Sequence, residues 1–205
     1  MDLDLMNLEI RTARVDDKGP IAELMYSSSP PLYDYLYREQ AMDFVRYQFA
    51  AGLGMAGWPS LTVAVVDGQV VGTGCFYDLA QIKKLGPEMH RGVLEYFGES
   101  GASAILERSA PMRAALTPPR EGELFLIHFG VTPELRSHGI GSKMMQHKIA
   151  EARAAGYTWL GLDVAKTNPR GEALYRWLGF QVTTEHESPF AAAGVPGWRK
   201  MELVL

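Results

Sequence analysis

The sequence predicts an α/β protein with a mixed, mostly antiparallel central sheet of about seven strands flanked by helices. Two patterns predict this fold class. An apolar hairpin lies in the first half of the chain, and strands alternate with helices in the second half. With 205 residues and 47% hydrophobic content, the chain can bury one sizeable core. We therefore expect a single domain over residues 1–205, with an insertion at about 80–118.

Local signals place the elements of the first half. The dipeptide Asp67-Gly68 separates two apolar runs and is typical of a two-residue hairpin. Asp16 and Asp17 precede a helical pattern, where an aspartate can accept hydrogen bonds from the first backbone N–H groups. The predicted elements are a strand at 8–14, a helix after Asp17, a helix at 33–50, and strands at 61–66 and 70–77.

The insertion at 80–118 has a helical pattern that glycine and proline interrupt. Proline removes a backbone donor and glycine is flexible, so both residues weaken a helix. The insertion is therefore predicted to be helical and irregular, with breaks at Gly86-Pro87, Gly98, Gly101 and Pro118-Pro119.

The second half alternates strands with helices. In open sheets with helices on their faces, ligands favour the carboxyl ends of the strands, and we expect the functional site there. The predicted elements are a strand at 123–131, a helix at about 139–155, a strand at 157–164, a helix at 169–178, and strands near 180–187 and 198–204.

Composition and charge exclude several classes of function. The net charge of -4 argues against a protein that mainly binds nucleic acid, which requires clustered lysine and arginine. No apolar run approaches the ~20 residues of a membrane span. The first five residues are acidic where a secretory signal is basic. We expect a cytoplasmic protein with small-molecule partners, which binds neither nucleic acid nor a membrane.

The cysteine and histidine content gives two further expectations. Cys75 is the only cysteine, so the chain cannot form an internal disulfide. No set of cysteine and histidine has the spacing of zinc ligands, and we expect no metal site.

The junction at residues 131–142 is the most informative stretch, because an apolar strand leads through a short glycine loop into an amphipathic helix. The first N–H groups of a helix lack intrahelical partners and lie at the positive end of its dipole, so they can bind a phosphate. Gly139 and Gly141 allow the backbone to approach an anion, and Arg136 can add a positive charge. A glycine-containing turn alone is common between a strand and a helix, so this motif needs a second one.

The second motif begins at Asn168, directly after the strand that ends in Leu162-Asp163-Val164. Together the two motifs resemble the signatures of the GCN5-related N-acetyltransferases (GNAT), which are Arg/Gln-x-x-Gly-x-Gly/Ala and Asn-x-x-Ala-x-x-x-Tyr-x-x-x-Gly-Phe. The matching residues are Arg136, Gly139 and Gly141 in the first signature, and Asn168, Tyr175, Gly179 and Phe180 in the second.

One position departs from the second signature. Gly171 stands where the family favours alanine. Both residues are small, so we expect the cofactor to retain access while the helix loses about 1 kcal/mol of stability.

The resemblance implies a GNAT-like acyltransferase fold that uses acetyl-coenzyme A as cosubstrate. In this family the pyrophosphate lies on the loop backbone. The pantetheine arm pairs with the strand before the loop, in a cleft where the strands beginning near 123 and 157 diverge. The residues thus implied to bind acetyl-coenzyme A are Phe129, Val131, Arg136, Ser137, His138, Gly139, Ile140, Gly141, Asn168 and Tyr175.

Two of these assignments have structural alternatives. Asn168 followed by Pro169 is a natural helix N-cap and first helical residue, and this role alone can explain both residues. His138 in the loop is more simply explained as a residue that faces solvent than as a catalyst.

The resemblance also implies the reaction, in which a primary amine attacks the acetyl group directly and no covalent enzyme intermediate forms. Tyr175 is the implied catalytic residue, because its phenol could protonate the departing thiolate; simple packing beside Trp177 is the alternative. The other function that fits the same motifs is a non-catalytic sensor or structural module that binds acetyl-coenzyme A.

The general base remains open between Glu123, His128 and a water chain. An amine with a pKa of about 10.4 is almost entirely protonated at neutral pH, so a base should remove its proton. Strand alternation predicts Glu123 and Phe129 on one face and His128 on the other, unless a bulge shifts the register. The simpler alternatives are an exposed carboxylate at a strand start and a buried histidine bonded to a backbone carbonyl.

The acceptor also remains open between a small-molecule amine and a peptide amine. Tyr33, Tyr35 and Tyr37 belong to a region that commonly walls the acceptor pocket in this family, but they could equally form core or a homodimer interface. The insertion at 80–118 and the segment 188–198 are candidate lids.

Overall fold

The computed structural model of the protein describes residues 7–205, so the acidic start at residues 1–5 lies outside the described residues. The described strands form one seven-stranded sheet in the order β1-β2-β3-β4-β5-β7-β6. The β4–β5 pair is parallel and the other neighbouring pairs are antiparallel, which confirms the predicted fold class. The strands are β1 (Glu9–Thr12), β2 (Leu61–Val66), β3 (Gln69–Tyr77), β4 (Glu123–Val131), β5 (Trp159–Ala165), β6 (Gln181–His186) and β7 (Trp198–Val204).

Helices cover both faces of the sheet. Apolar residues of α1 and α3 pack against β2, β3 and Phe125 of β4, whereas Met145 and Ile149 of α5 pack on the opposite face against Leu124 and Leu160. No helix in residues 7–205 is both long enough and apolar enough to cross a membrane. The helices are α1 (Ile21–Tyr26), α2 (Pro30–Tyr37), α3 (Ala41–Ala51), α4 (Leu79–Ala115), α5 (Ile140–Ala154) and α6 (Pro169–Trp177).

The hairpin prediction is confirmed, and the predicted aspartate cap is wrong. Asp67 and Gly68 have φ values of 50° and 75°, as a two-residue turn of this type requires. Asp17 does not cap α1, which begins after Pro20 without a side-chain cap. Its carboxylate instead pairs with the Arg11 guanidinium and accepts a hydrogen bond from the backbone N–H of Arg14.

The predicted helix at 33–50 is two helices, because the chain turns at Arg38 with a φ of 57°. The turn brings the rings of Tyr37 and Phe44 to a centroid distance of 4.7 Å. A single straight helix could not make this contact, since residues seven apart are about two turns apart along the axis.

The segment 80–118 is more regular than predicted. It forms α4, and the backbone leaves helical geometry within it at Gly98, which has a φ of 68°. Helical structure continues through Gly86-Pro87, because glycine has no Cβ to collide with the proline ring. Gly101 also remains helical, with its backbone close against the Cβ atom of Phe97.

A β-bulge in β4 determines which side chains face each side of the sheet. Thr73 pairs with Gly130 and Cys75 pairs with Ile127, so β4 has one more residue than β3 between these two pairs. His128 lies at this point with a φ of 55°. Thr73 is fully buried, and its hydroxyl donates a hydrogen bond to the His128 carbonyl at 3.1 Å.

The bulge shifts the register beyond Ile127, as the sequence prediction allowed, so the alternation of a regular strand does not hold there. His128 joins the face that carries Phe125, where its ring contacts Tyr33. Phe129 turns to the opposite face and packs among the residues around Tyr175.

The predicted divergence of the two central strands is confirmed. β4 and β5 pair from Glu123 to Leu126, opposite Trp159 to Leu162. β5 then continues along β7 as far as the pair Ala165–Trp198, while the rest of β4 pairs with β3. We call the resulting opening between the carboxyl ends of β4 and β5 the strand gap.

The Thr73 hydroxyl is expected to hold the bulge in place. Thr73→Val keeps the shape of the side chain but leaves the His128 carbonyl without this donor, so it should lower the free energy of unfolding in urea by about 1 kcal/mol. It should also raise the pKa of the His128 imidazole, measured by NMR, because a looser bulge admits water to the ring.

Thr132→Val is the matched control, since the Thr132 hydroxyl also donates to a carbonyl, that of Val71, outside the bulge. It should lower stability to a similar degree and leave the pKa of His128 unchanged. Equal His128 titrations in both variants and the wild type would contradict this role of Thr73.

Candidate functional site

The loop between β4 and α5 presents a row of free backbone donors. Ser137 and Gly139 both have positive φ, 66° and 83°, and Gly139 directly precedes the first residue of α5. The first bond into the helix runs from the Lys143 N–H to the Gly139 carbonyl at 2.9 Å. No acceptor within residues 7–205 meets the N–H groups from Ser137 to Ser142, and no side chain caps this helix.

This arrangement suits an anion. N–H groups at the start of a helix are concentrated where the helix dipole is positive, and successive amides with alternating backbone geometry form a concave anion site. The side chain of Ile140 is fully buried in the core, so only its backbone is available here.

Charged and polar side chains surround the row of donors. Arg136 folds back and donates from Nε to the Val131 carbonyl at 3.0 Å, while Nδ1 of the exposed His138 lies 3.0 Å from the Arg136 carbonyl. Arg170 of α6 donates to the Ser137 hydroxyl at 2.7 Å. The sequence prediction did not include Arg170, although it lies two residues after Asn168 in the second motif.

Asn168 is the N-cap of α6. Its side-chain oxygen accepts a hydrogen bond from the backbone N–H of Gly171 at 2.9 Å. A Cβ at Gly171 would lie 2.6 Å from the Asn168 amide nitrogen, so glycine at this position leaves room for the capping side chain. The predicted N-cap is therefore confirmed, and the amide nitrogen of Asn168 takes no part in it.

Phe129, Val131 and Gly141 adjoin one another where the strand gap meets the loop. A Cβ at Gly141 would lie 3.5–3.6 Å from side-chain atoms of Leu174, Phe129 and Val131, which is an ordinary contact distance. Packing within the protein therefore does not require glycine at 141. Glycine in the first turn lowers the stability of a helix, so its presence at 141 needs another reason. Space for a ligand beside the backbone is such a reason.

Tyr175 lies on the α5–α6 side of the sheet, next to the strand gap. Its ring is buried, with centroids 6.4 Å from Phe129 and 5.8 Å from Phe180. Among the described residues its hydroxyl has no hydrogen-bond partner. Burial raises the pKa of the phenol above its usual value, so the hydroxyl remains protonated at neutral pH.

His128 lies on the opposite face of the sheet. Its Nδ1 is 3.0 Å from the Tyr33 hydroxyl, so its partner is a tyrosine rather than the backbone carbonyl of the simpler alternative. The ring is desolvated, which lowers the pKa of His128 to about 4. An imidazole with so low a pKa is a weak base at neutral pH.

Glu123 is fully buried, and the interpretation of an exposed strand-start carboxylate is wrong. One carboxylate oxygen accepts a hydrogen bond from the Arg120 backbone N–H at 3.0 Å, and the other lies 3.4 Å from Nζ of Lys200. Lys200 and Arg120 each also contact Glu202 at 3.0 Å. Glu123 is therefore part of an ion cluster at the start of β4, which contains Arg120, Glu123, Lys200 and Glu202.

Asp163 lies at the strand gap, two residues beyond Gly161 on β5. Gly161 contacts the Glu123 carboxylate, so by alternation the Asp163 side chain is on the face of the sheet that carries Glu123 and His128. It lies opposite Lys200 in the β5–β7 ladder, yet its carboxylate has no hydrogen bond or ion pair within the described part of the chain. Burial, and to a lesser extent the charge of Glu123, raises the pKa of Asp163 to about 6, and Lys200 opposes this rise.

The structure thus brings the loop residues, Phe129, Val131, Asn168 and Tyr175 to one side of the strand gap. It leaves Glu123 in the ion cluster and places Asp163 at the gap instead. The sequence contains one signal for Asp163, which is an acidic residue within an otherwise apolar strand end. In residues 7–205, no group of three or more histidine, cysteine, aspartate and glutamate residues is placed to hold a metal ion.

Comparison with known proteins identifies relatives of the chain. The profile of the acetyltransferase (GNAT) family matches residues 22–180. The [ribosomal protein bS18]-alanine N-acetyltransferase of Salmonella typhimurium is 29% identical over 102 residues, which span 48% of this chain and 69% of that protein. The Escherichia coli K12 protein of the same name is 32% identical over 88 residues, or 42% of this chain and 60% of that protein.

A solved structure with the same fold has a bound cosubstrate. A GNAT family acetyltransferase from Elizabethkingia anophelis, crystallised with acetyl-CoA, superposes with a TM-score of 0.59 at 12% identity. The superposition covers 98% of this chain and 99% of that chain.

The role of Asn168 can be divided into a cap and a ligand contact. Asn168→Ala should lower the free energy of unfolding by about 1 kcal/mol, because the Gly171 N–H loses its acceptor. Asn168→Asp keeps the capping oxygen and should retain most of the stability. Urea denaturation of both variants measures the difference, and equal losses would contradict the cap.

Proposed function

The chain belongs to the GNAT family of acetyltransferases, and we propose from this premise that a primary amine attacks the acetyl group directly at the strand gap. Acetyl-coenzyme A is the acyl donor of this enzyme class. The observation that most supports the proposal is the row of N–H groups from Ser137 to Ser142, which have no acceptor among residues 7–205 and lie beside a gap between two strands. When bound, acetyl-coenzyme A supplies the thioester whose acetyl group is transferred.

The proposed cosubstrate site uses mostly backbone atoms. The N–H groups of Ser137, His138, Gly139, Ile140 and Gly141 would hold the diphosphate, with positive charge from Arg136 and the additional Arg170. The β4 backbone at Phe129 and Val131 lacks a strand partner on the β5 side and can pair with an amide-containing arm as with an added strand. The free amide nitrogen of Asn168 can reach the same arm from the start of α6.

Tyr175 is the proposed general acid. Its phenol is protonated at neutral pH because burial raises its pKa, and its hydroxyl has no partner to displace among residues 7–205. It can therefore give a proton to the departing thiolate. Tyr175 is buried on the α5–α6 side, where the loop also lies.

Asp163 is the general base that fits the geometry best. With a pKa of about 6 it is mostly ionised at neutral pH, yet it is more basic than an ordinary aspartate. Glu123 is paired with Arg120 and Lys200, and the pKa of His128 is lowered to about 4, so neither is as suitable. Asp163 and Tyr175 lie on opposite faces of the sheet with the gap between them, which separates the uptake of a proton from its release.

The proposal also covers the domain organisation, the cellular location and the acceptor class of the protein. We infer one acetyltransferase domain over 1–205 in which α4 is an insertion, and a cytoplasmic protein whose acceptor is an amine rather than a nucleic acid or a membrane. The buried free thiol of Cys75 is compatible with a reducing compartment.

The proton donor can be tested by removing one oxygen atom. Tyr175→Phe keeps the ring packing and should lower kcat about 100-fold, because the thiolate loses its acid. The affinity for acetyl-coenzyme A should not change. Thiol release measures turnover, and thermal shift measures binding.

Tyr157→Phe is the control, because Tyr157 donates to Asp78 at 2.8 Å, away from the gap, and its loss should affect stability alone. Full turnover of Tyr175→Phe would remove the proposed role. Binding of acetyl-coenzyme A by the wild type without any thiol release would favour the non-catalytic module.

The pH dependence of kcat/KM tests Asp163 as the general base. If ionised Asp163 accepts the proton, kcat/KM should rise with pH through about 6, and Asp163→Asn should abolish this limb and most of the activity. Lys200→Met removes a positive charge opposite Asp163, which raises the pKa of Asp163 and should move the limb to higher pH. Glu123→Gln removes a negative charge, which lowers that pKa and should move the limb to lower pH.

These shifts in opposite directions distinguish a charge effect from a general loss of stability. Glu202→Gln is the control within the ion cluster, since Glu202 is not among the charges that shift the pKa of Asp163. A wild-type profile without a limb near pH 6, or shifts of the same sign in the Lys200 and Glu123 variants, would contradict Asp163 as the base.

A further inference from the structure

An apolar cluster covers the face of the sheet on which Asp163 lies. Two of its members come from α2, two come from α4, and the others come from the connection between β6 and β7 and the start of β7. We call this cluster the roof, and its residues are Leu32, Tyr35, Met112, Ala115, Phe190, Val195 and Trp198.

The roof extends from one side of the strand gap to the other. At the β5–β7 side, Trp198 pairs with Ala165 and, two residues before Lys200, lies on the same face as Lys200. At the β4 side, α2 is fixed by the hydrogen bond between Tyr33 and His128. The gap is thus covered on the face from which an amine would reach Asp163, while the loop and Tyr175 occupy the other face.

The parts of the roof are in direct contact with one another. The rings of Tyr35 and Phe190 are stacked with centroids 4.4 Å apart, so α2 meets the β6–β7 connection. Arg108 ties α4 to the end of α2 by donating to the Leu36 carbonyl at 2.6 Å. Phe190 is 5% exposed and its N–H is bonded to the Ser188 hydroxyl at 3.0 Å, so the connection is well packed.

An extended peptide does not fit between such elements. A strand lies about 4.8 Å from a hydrogen-bonded neighbour, so a peptide between two walls needs roughly 10 Å from wall to wall. The stacked rings of Tyr35 and Phe190, with centroids 4.4 Å apart, leave no such space between α2 and the β6–β7 connection. Asp163 nevertheless remains half-buried rather than sealed, so a small molecule can reach the gap beside it.

We propose that the roof restricts the acceptor to a small, free primary amine and excludes amines that belong to a polypeptide. The inference rests on the proposed function and concerns the acceptor of the same site. It separates this chain from the two bS18-alanine N-acetyltransferases, whose name gives a ribosomal protein as acceptor. The roof depends on α4 and on the contact between Tyr35 and Phe190.

The experiment compares acceptors that have the same amine but different size. Thiol release from acetyl-coenzyme A is measured with alaninamide against a hexapeptide that begins with alanine, and with N-acetyl-lysinamide against a blocked hexapeptide with a central lysine. A panel of small amines such as benzylamine, tyramine and agmatine completes the set. We expect turnover with small amines, and a kcat/KM for peptides at least about tenfold below that of the best small amine.

Variants of two roof residues then test whether the roof causes the preference for small amines over peptides. Phe190→Ala and, separately, Tyr35→Ala should raise the ratio of peptide to small-amine kcat/KM about tenfold, because each removes one of the two stacked rings and so abolishes their contact. Tyr96→Ala is the matched control, since it removes a ring whose centroid lies 5.3 Å from that of Phe44 of α3, away from the gap. It should leave the ratio of peptide to small-amine kcat/KM unchanged. Thermal shift with acetyl-coenzyme A confirms that each variant is folded.

The outcomes distinguish this inference from the proposed function. Peptides acetylated by the wild type as fast as the best small amine would overturn the inference and leave the acetyltransferase proposal intact. The same ratio in the folded roof variants and the control would also overturn it. Absence of thiol release with every acceptor would overturn the proposed function and this inference together.

Discussion

The departure of β4 from β5 after Leu126 is the constraint on which the site depends. An extra residue in β4 at His128 creates a bulge, and beyond it the strand follows β3 while β5 follows β7. The bulge also determines on which face of the sheet each side chain lies, because Phe129 turns towards α5 and α6 while His128 turns towards α2. A gap with different chemistry on its two faces results, with a buried phenol at Tyr175 and, at Asp163, a carboxylate that has no partner within the described part of the chain.

The two functions of the site depend on different parts of the chain. The proposed anion binding relies on the backbone at the start of α5, where N–H groups without partners among residues 7–205 and the helix dipole act together, so few side chains are needed. The proposed proton transfer relies on side chains whose pKa values are displaced by burial. The raised pKa of Tyr175 keeps its phenol protonated at neutral pH. The pKa of Asp163, raised to about 6, lies close enough to neutral pH for the carboxylate to accept and release a proton. Titratable groups with displaced pKa values on the two sides of a gap are the arrangement that acid and base catalysis requires.

The sequence predicted the parts of the molecule that local signals control. The hairpin, the strand–loop–helix junction and the helix after Asn168 were confirmed because turn dipeptides, helix starts and periodicity act over a few residues. The turn at Arg38 was not predicted, and the bulge at His128 was only left open as a possible shift of register, because no turn dipeptide like Asp67-Gly68 signals a positive φ at these two residues. Distant contacts also decide between the candidate bases: Glu123 is occupied by partners from another strand and a loop, whereas the Asp163 carboxylate, where β4 turns away from β5, has no partner among residues 7–205.

The central claim is that the loop backbone and the strand gap together hold one cosubstrate, with its acetyl group between Tyr175 and Asp163. A crystal structure of the protein with acetyl-coenzyme A tests it most directly. We predict diphosphate oxygens within hydrogen-bond distance of the N–H groups of residues 137–142, and the thioester in the gap between β4 and β5. A diphosphate bound elsewhere, or a thioester outside the gap, would contradict the account.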